Sequence, residues 1–460
     1  MGRYAIFVVF GLFLTMNYFV ISSHKSERIA IKSTVEHLNR RIAQNVATGY
    51  ANITLNRLRV DQVGITGFAP EEYYINDELE RPDGAVIVLQ VDNYESDPAL
   101  EIGEYRITST VDYEDVNVQT VVFDRQLPFS YWALFVNSFP RYYYGNGEGA
   151  DGPVHINGKM RVGQNPGPQW LGNVTTTQGV AYYAGANAGN YTGFHGDNNN
   201  FSHRGITLPT HLGLTAAAIA SSHKIDPLFA GSSSSFVSVV LNRAADGTQY
   251  IELADVLPTD PRLLRAAWAT DAEWNAFLAQ HTASVKLGDI TSGILYSSAF
   301  DLRVRGELDG QLTISTENKI YIDDDIYYHD DPRVVDDSDD LLGLMAEDGM
   351  IISTSADPHT GIKYNNDYGD ASALYQGCTV MGNMYTPSTI TIENLRDGCR
   401  GDWITVGGRV QEVISATWSG GSHWTGFKEV INYDDRLRKM TPPGIPYTME
   451  RRISRWQETF

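Results

Sequence analysis

Cysteine is nearly absent from this 460-residue chain, with only Cys378 and Cys399 present. Two cysteines with no histidine at zinc-finger spacing cannot build a structural zinc site. Lying close together in an exported domain, they are expected to form one local disulfide. Positive charge is also scarce. The chain carries 35 Lys and Arg against 56 Asp and Glu, a formal net charge of −21. Such a field repels phosphate backbones, so nucleic acid is excluded as a partner. Nucleophile-elbow, zincin and P-loop motifs are all missing. Proline is missing from Tyr4 to Leu58, so nothing there obliges a helix to stop.

What is present begins with Tyr4 to Ile21, eighteen residues without a charge. At 1.5 Å per residue they span about 27 Å, just enough for one membrane crossing. A cleaved secretory signal is the competing reading, but this apolar region is long for one and no small-residue cleavage site follows. Both readings take the rest of the chain out of the cytoplasm. Beyond the run, Val35, Leu38, Ile42, Val46 and Ile53 recur at helical spacing. The pattern predicts one continuous helix over residues 1–58, its second half packed on a globular head by that stripe.

This layout resembles the type IV pilin-like proteins, especially their minor-pilin and pseudopilin-like members. The resemblance covers about the first sixty residues and implies membrane insertion and contact with other pilin-like subunits. It departs from the family at Phe7, where cleavage after Gly2 would usually place glutamate.

Residues 59–126 read as a small strand-rich module, with β runs at Ala85 to Val91, Tyr105 to Tyr113 and Val116 to Phe123. Residues 127–152 form an aromatic and glycine-rich junction. From 153 to 427 short β runs alternate with glycine, asparagine and aspartate. Leu302 and Val304, Leu312 and Ile314, and Ile320 and Ile322 make successive apolar pairs separated by polar turns. The expected fold class is therefore mainly β, a right-handed β-helix or similar solenoid, with a sandwich as the alternative. A helical insertion is expected at 261–281, with Asp271 as a cap, and a shorter helix within His211 to Ser222. Residues 428–460 read as an extended basic tail. The segments GPVHINGKMRVG (Gly152 to Gly163), Asp339 to Ser353 and Asn432 to Tyr447 resemble an uncharacterised family of bacterial surface proteins with a pilin-like start and a β-helical body. That resemblance implies surface display in the bacterial envelope and no assigned catalytic site.

Three groups of residues are chemical candidates. Nine aspartates lie between Asp323 and Asp340. Of these Asp323, Asp324, Asp325, Asp330, Asp331, Asp336 and Asp337 are the candidate calcium ligands, although the spacing is not that of an EF-hand. The aromatics Tyr182, Tyr183, Tyr191 and Phe194 sit in an Asn- and Gly-rich segment suited to gripping glycans or a protein surface. Asp301, Glu307 and Asp309 share one β run and would serve a carbohydrate-active enzyme only if two of them faced each other across a groove. The leading expectation is a non-enzymatic, membrane-anchored surface or pilus-associated protein. A carbohydrate-active enzyme and a calcium-stabilised adhesin are the alternatives.

Overall fold

The computed structural model describes residues 2–459, apart from 62–76, 184–190, 257–266, 354–376, 420–424 and short gaps at 82–83, 94–96, 98–99, 101–102, 141–142, 146, 164–166, 268–269, 394 and 396–398. It is mostly β structure with one long apolar N-terminal helix and a large mixed sheet. The chain divides into two units, Met1–Leu127 with Met449–Phe460, and Pro128–Thr448.

In the first unit a single helix runs from Gly2 to Asp61, about 90 Å long. Its second half lies on a five-stranded sheet. The sheet order is Asp77–Glu80, Val86–Asn93, Glu104–Tyr113, Val116–Pro128 and Tyr447–Thr459. Glu114 and Asp115, both at positive φ (53° and 49°), make the two-residue turn that joins the third and fourth strands.

The helix face that packs overlaps the expected one only at Ile42 and Val46. Ala43, Ala47, Ala51, Val46 and Leu55 are buried against Ile87, Leu89, Val91, Ile107, Val111, Val118 and Val122. Val35, Leu38 and Ile53 remain 48%, 56% and 47% exposed. Alanines four residues apart present a flat strip that lets the helix backbone approach the sheet closely, whereas a stripe of Val, Leu and Ile would hold it away.

The expected tail does not exist as one segment. Lys428 belongs to the strand Thr425–Asn432 of the second unit, while Met449–Phe460 belongs to the first. There the buried Arg451 Nε donates to Asp124 Oδ2 at 2.5 Å, with its guanidinium 4.7 Å from the centre of the Tyr105 ring. Ser454 Oγ donates to Glu104 Oε1, and Arg455 stacks 3.7 Å over Phe123.

The second unit is built on a 19-stranded sheet dominated by parallel ladders. Leu134 registers with Val154, and Val154 with Val174, so this part repeats every 20 residues. Ala150 with Trp170 and Met160 with Val180 keep the same step. In another column Val237, Leu302, Ile320, Met350, Ile390 and Ile414 are stacked in register and almost fully buried. The apolar pairs expected from Leu302 to Ile322 are all fully buried.

Spatial order departs from chain order. The strand Leu134–Ser138 pairs with Cys399–Ile414, Leu134 opposite Arg409. The chain thus enters midway and lays down rungs through about Asn200. It resumes at His223–Lys224 beside Ile294–Ser297, then returns rung by rung to the entry point.

An antiparallel meander of Phe236–Arg243, Gln249–Ala254 and Thr282–Lys286 carries the helix Asp271–His281. That helix is capped by Thr270, not Asp271, in a reciprocal capping box with Glu273. Residues 261–266 of the expected insertion lie outside the described residues. The shorter expected helix is Ala216–Ser221.

Candidate functional site

The first half of the long helix is the clearest candidate. Twelve large apolar side chains from Phe7 to Ile21 are each more than half exposed. The few polar groups among them turn back on the helix. Thr15 Oγ1 donates to Gly11 O and Leu12 O at 2.9 Å, and Asn17 Nδ2 donates to Phe13 O at 2.9 Å. Side-chain groups satisfied in this way need no water, which hydrocarbon does not supply. By length and composition this is a helix able to cross a membrane.

The acidic run does not form a cage. Asp323 accepts two bonds from Arg303, at 2.7 Å each. Asp325 accepts from Thr379 N and Tyr327 Oη, both at 2.6 Å. Asp324 accepts from the amide of Asp325. Asp331 is forked by Arg333, Asp340 receives the amides of Gly310 and Asp330, and Asp336 and Asp337 face solvent. Among the described residues no three Asp, Glu, His or Cys are placed to hold a metal ion. Burial raises the carboxyls of Asp323, Asp324 and Asp340, while the hydrogen bond from Arg333 lowers that of Asp331.

The expected disulfide is corrected as well. Cys378 is a free, fully buried thiol whose pKa is raised well above its ordinary value by burial. It registers with Trp403, four residues beyond Cys399 on the neighbouring strand. Four residues of strand correspond to about 13 Å, well past the roughly 7 Å between Cα atoms that a disulfide tolerates.

Of the four candidate aromatics, three belong to packing. Tyr182, Tyr191, Phe194 and Phe201 form a chain of ring contacts 5.0–5.8 Å apart, and buried Tyr191 donates its hydroxyl to Pro168 O. Only Tyr183 is substantially open, at 49% exposed, edge-on to Tyr143, with Arg161 above the Tyr143 ring. Tyr143 and Arg161 were not singled out from the sequence; Arg161 keeps the 20-residue step with Ala181, whereas the neighbouring Tyr144 bridges Val162 across 18 residues.

Asp301 and Glu307 stand six residues apart on the strand Asp301–Leu308. That is about 20 Å, against the 5–9.5 Å that paired glycosidase carboxylates require. Glu307 accepts from His329 Nδ1 at 2.6 Å and Asp309 from Arg243 Nε at 2.5 Å.

No protein-family model and no curated protein matches the chain. Among solved structures, the competence-associated pilin ComZ from Thermus thermophilus aligns over 92% of this chain and 97% of that one, at 8% identity and a TM-score of 0.35. An overlap of that size does not establish a shared fold.

Proposed function

We propose that this chain is a non-enzymatic, membrane-anchored protein of the bacterial surface, in which the N-terminal half-helix holds a β-solenoid in the extracytoplasmic space. One observation carries the reading: the two halves of a single helix meet different surroundings. The second half buries an alanine strip on its own sheet, and the first half presents apolar side chains with no protein over them. The solenoid reading is supported by the 20-residue parallel register and the in-register apolar column, because stacked coils bury such columns and cover each other's strand edges. A minor-pilin-like, structural or adhesive role is the best use of that arrangement, with Tyr183, Tyr143 and Arg161 as the side chains offered to a glycan or protein surface.

The test is membrane extraction. The full chain is expected to stay with membranes through alkaline carbonate washing, and a variant lacking residues 4–21 to be released. Release of the full chain without detergent would refute the anchor.

A further inference from the structure

We propose that the helical turns just after the apolar run bind anionic phospholipid headgroups through Lys25, Arg28 and Lys32. The inference rests on the anchor reading above. These three residues recur at i, i+3 and i+7, so they share one face of the helix. All three are exposed. Lys25 and Arg28 have no ion-pair partner among the described residues, and Lys32 meets only Glu36, at 3.7 Å with both side chains more than 60% exposed. His24 and Glu27 pair with each other.

Position along the axis fits the same target. With 1.5 Å per residue, Lys25, Arg28 and Lys32 have Cα atoms about 6, 10 and 16 Å past Ile21. The headgroup layer is about 5–8 Å thick on each side of the hydrocarbon. Helical side chains tilt toward the N-terminus, here back toward the bilayer, and long basic side chains reach several ångströms further. Lys25 and Arg28 therefore place their charges inside the headgroup layer. Lys32 lies within about one Debye length of it at physiological salt.

The charge distribution points to an anionic partner. Residues 22–41 hold five basic residues against Glu27 and Glu36, a net +3, in a chain whose total is −21. An anionic bilayer repels the acidic remainder, and the basic stripe is the part of the chain that lies against that bilayer.

The experiment reconstitutes the full chain, with a fluorophore introduced at Ser26 as an unnatural amino acid, into phosphatidylcholine vesicles containing phosphatidylglycerol. Energy transfer is compared between headgroup-labelled phosphatidylglycerol and equally labelled phosphatidylcholine at the same mole fraction. The proposal expects severalfold stronger transfer to phosphatidylglycerol. Each substitution in K25Q/R28Q/K32Q should lower that preference by up to about fivefold. Raising salt to about 1 M, where the Debye length contracts to about 3 Å, should abolish it.

Equal transfer to both lipids in the parent chain would overturn the proposal and return the stripe to solvent or to the acidic surface of a neighbouring copy. A preference unchanged in the triple variant would also overturn it. Failure of the chain to float with vesicles would instead sink the anchor reading, and this proposal with it.

Discussion

The ion pair between Arg409 and Glu429 lies inside the second unit, its side chains 1% and 2% exposed, with Arg409 Nη2 at 2.5 Å from Glu429 Oε1. The guanidinium also sits 4.7 Å from the centre of the Trp403 ring, and Arg409 registers with Leu134 where the early and late parts of the chain meet. Glu429→Gln replaces the carboxylate by a neutral amide of the same volume beside a buried guanidinium. Removing one partner of such a pair costs about 3–5 kcal/mol. With an unfolding entropy near 2.1 cal/mol/K per residue, a unit of this size should lose roughly 4–7 °C in melting temperature. The assay is thermal unfolding of the full chain in detergent, followed by far-UV circular dichroism. The double variant R409M/E429L should recover most of the loss or exceed the parent, since apolar replacements avoid the desolvation of both ions. The reasoning is refuted if Glu429→Gln melts within about 1.5 °C of the parent, or if the double variant is no better than the single one.

Ala47 is fully buried under the sheet, so Ala47→Leu should destabilise by about 1–3 kcal/mol through overpacking, whereas exposed Leu38→Gln should stay within about 0.5 kcal/mol; denaturant titration compares the two. The hydrogen bond to Glu307, with weaker opposing desolvation, raises His329 above its ordinary 6.5. The histidine's contribution is therefore complete below 6.5 and lost as pH rises through the raised folded value, so His329→Gln should narrow the gap to the parent at alkaline pH; a gap independent of pH would count against the pair. Cys378 should resist alkylation in the native chain and react once denaturant is added, and a peptide linking it to Cys399 in a non-reducing digest would show the register argument to be mistaken.

Where the sequence was legible, side chains of one type repeated at one period. The uncharged run to Ile21 and the proline-free stretch after it mark a helix whatever surrounds it. The alternating pairs Leu302 and Val304, Leu312 and Ile314, and Ile320 and Ile322 mark strands whose inner face is apolar. The packed helix face was legible only at Ile42 and Val46, because hydrophobicity ranks Val35, Leu38 and Ile53 above Ala43, Ala47 and Ala51, while close approach to a sheet favours the small residues. The 20-residue step was hidden because only the coil-facing positions match: Val154 repeats as Val174 and Met160 as Val180, yet on the opposite strand face His155, buried under Trp132, becomes Thr175 and Arg161 becomes Ala181. Pairing of Leu134 with Arg409 leaves no local trace, since the partners are joined by ladder hydrogen bonds that any residue but proline can make. The aspartates looked like ligands because their count is visible in sequence and their existing partners, Arg303, Arg333 and the amide of Thr379, are not.

The proposed anchor is argued from size rather than from likeness to any known protein. The twelve large apolar side chains exposed between Phe7 and Ile21 would each gain about 1.5–3 kcal/mol on leaving water, roughly 20–35 kcal/mol together. The whole folding stability of an ordinary domain is about 5–15 kcal/mol. A surface whose transfer outweighs folding itself does not stay in water: it enters a bilayer, pairs with other such helices, or aggregates. The continuous helix favours the first two, because the Thr15 hydroxyl and one N–H of Asn17 bond back to the helix and no charge interrupts the span. The same continuity then fixes how the first unit is held. With no proline between Tyr4 and Leu58 to bend it, the helix carries its sheet rigidly, so a Pro at Ser33 should leave the sheet folded and membrane attachment intact while freeing the sheet to reorient. Spin-label distances between the span and the strand Glu104–Tyr113 would broaden in Ser33→Pro; an unchanged distribution would mean that the rod does not set the position of its sheet.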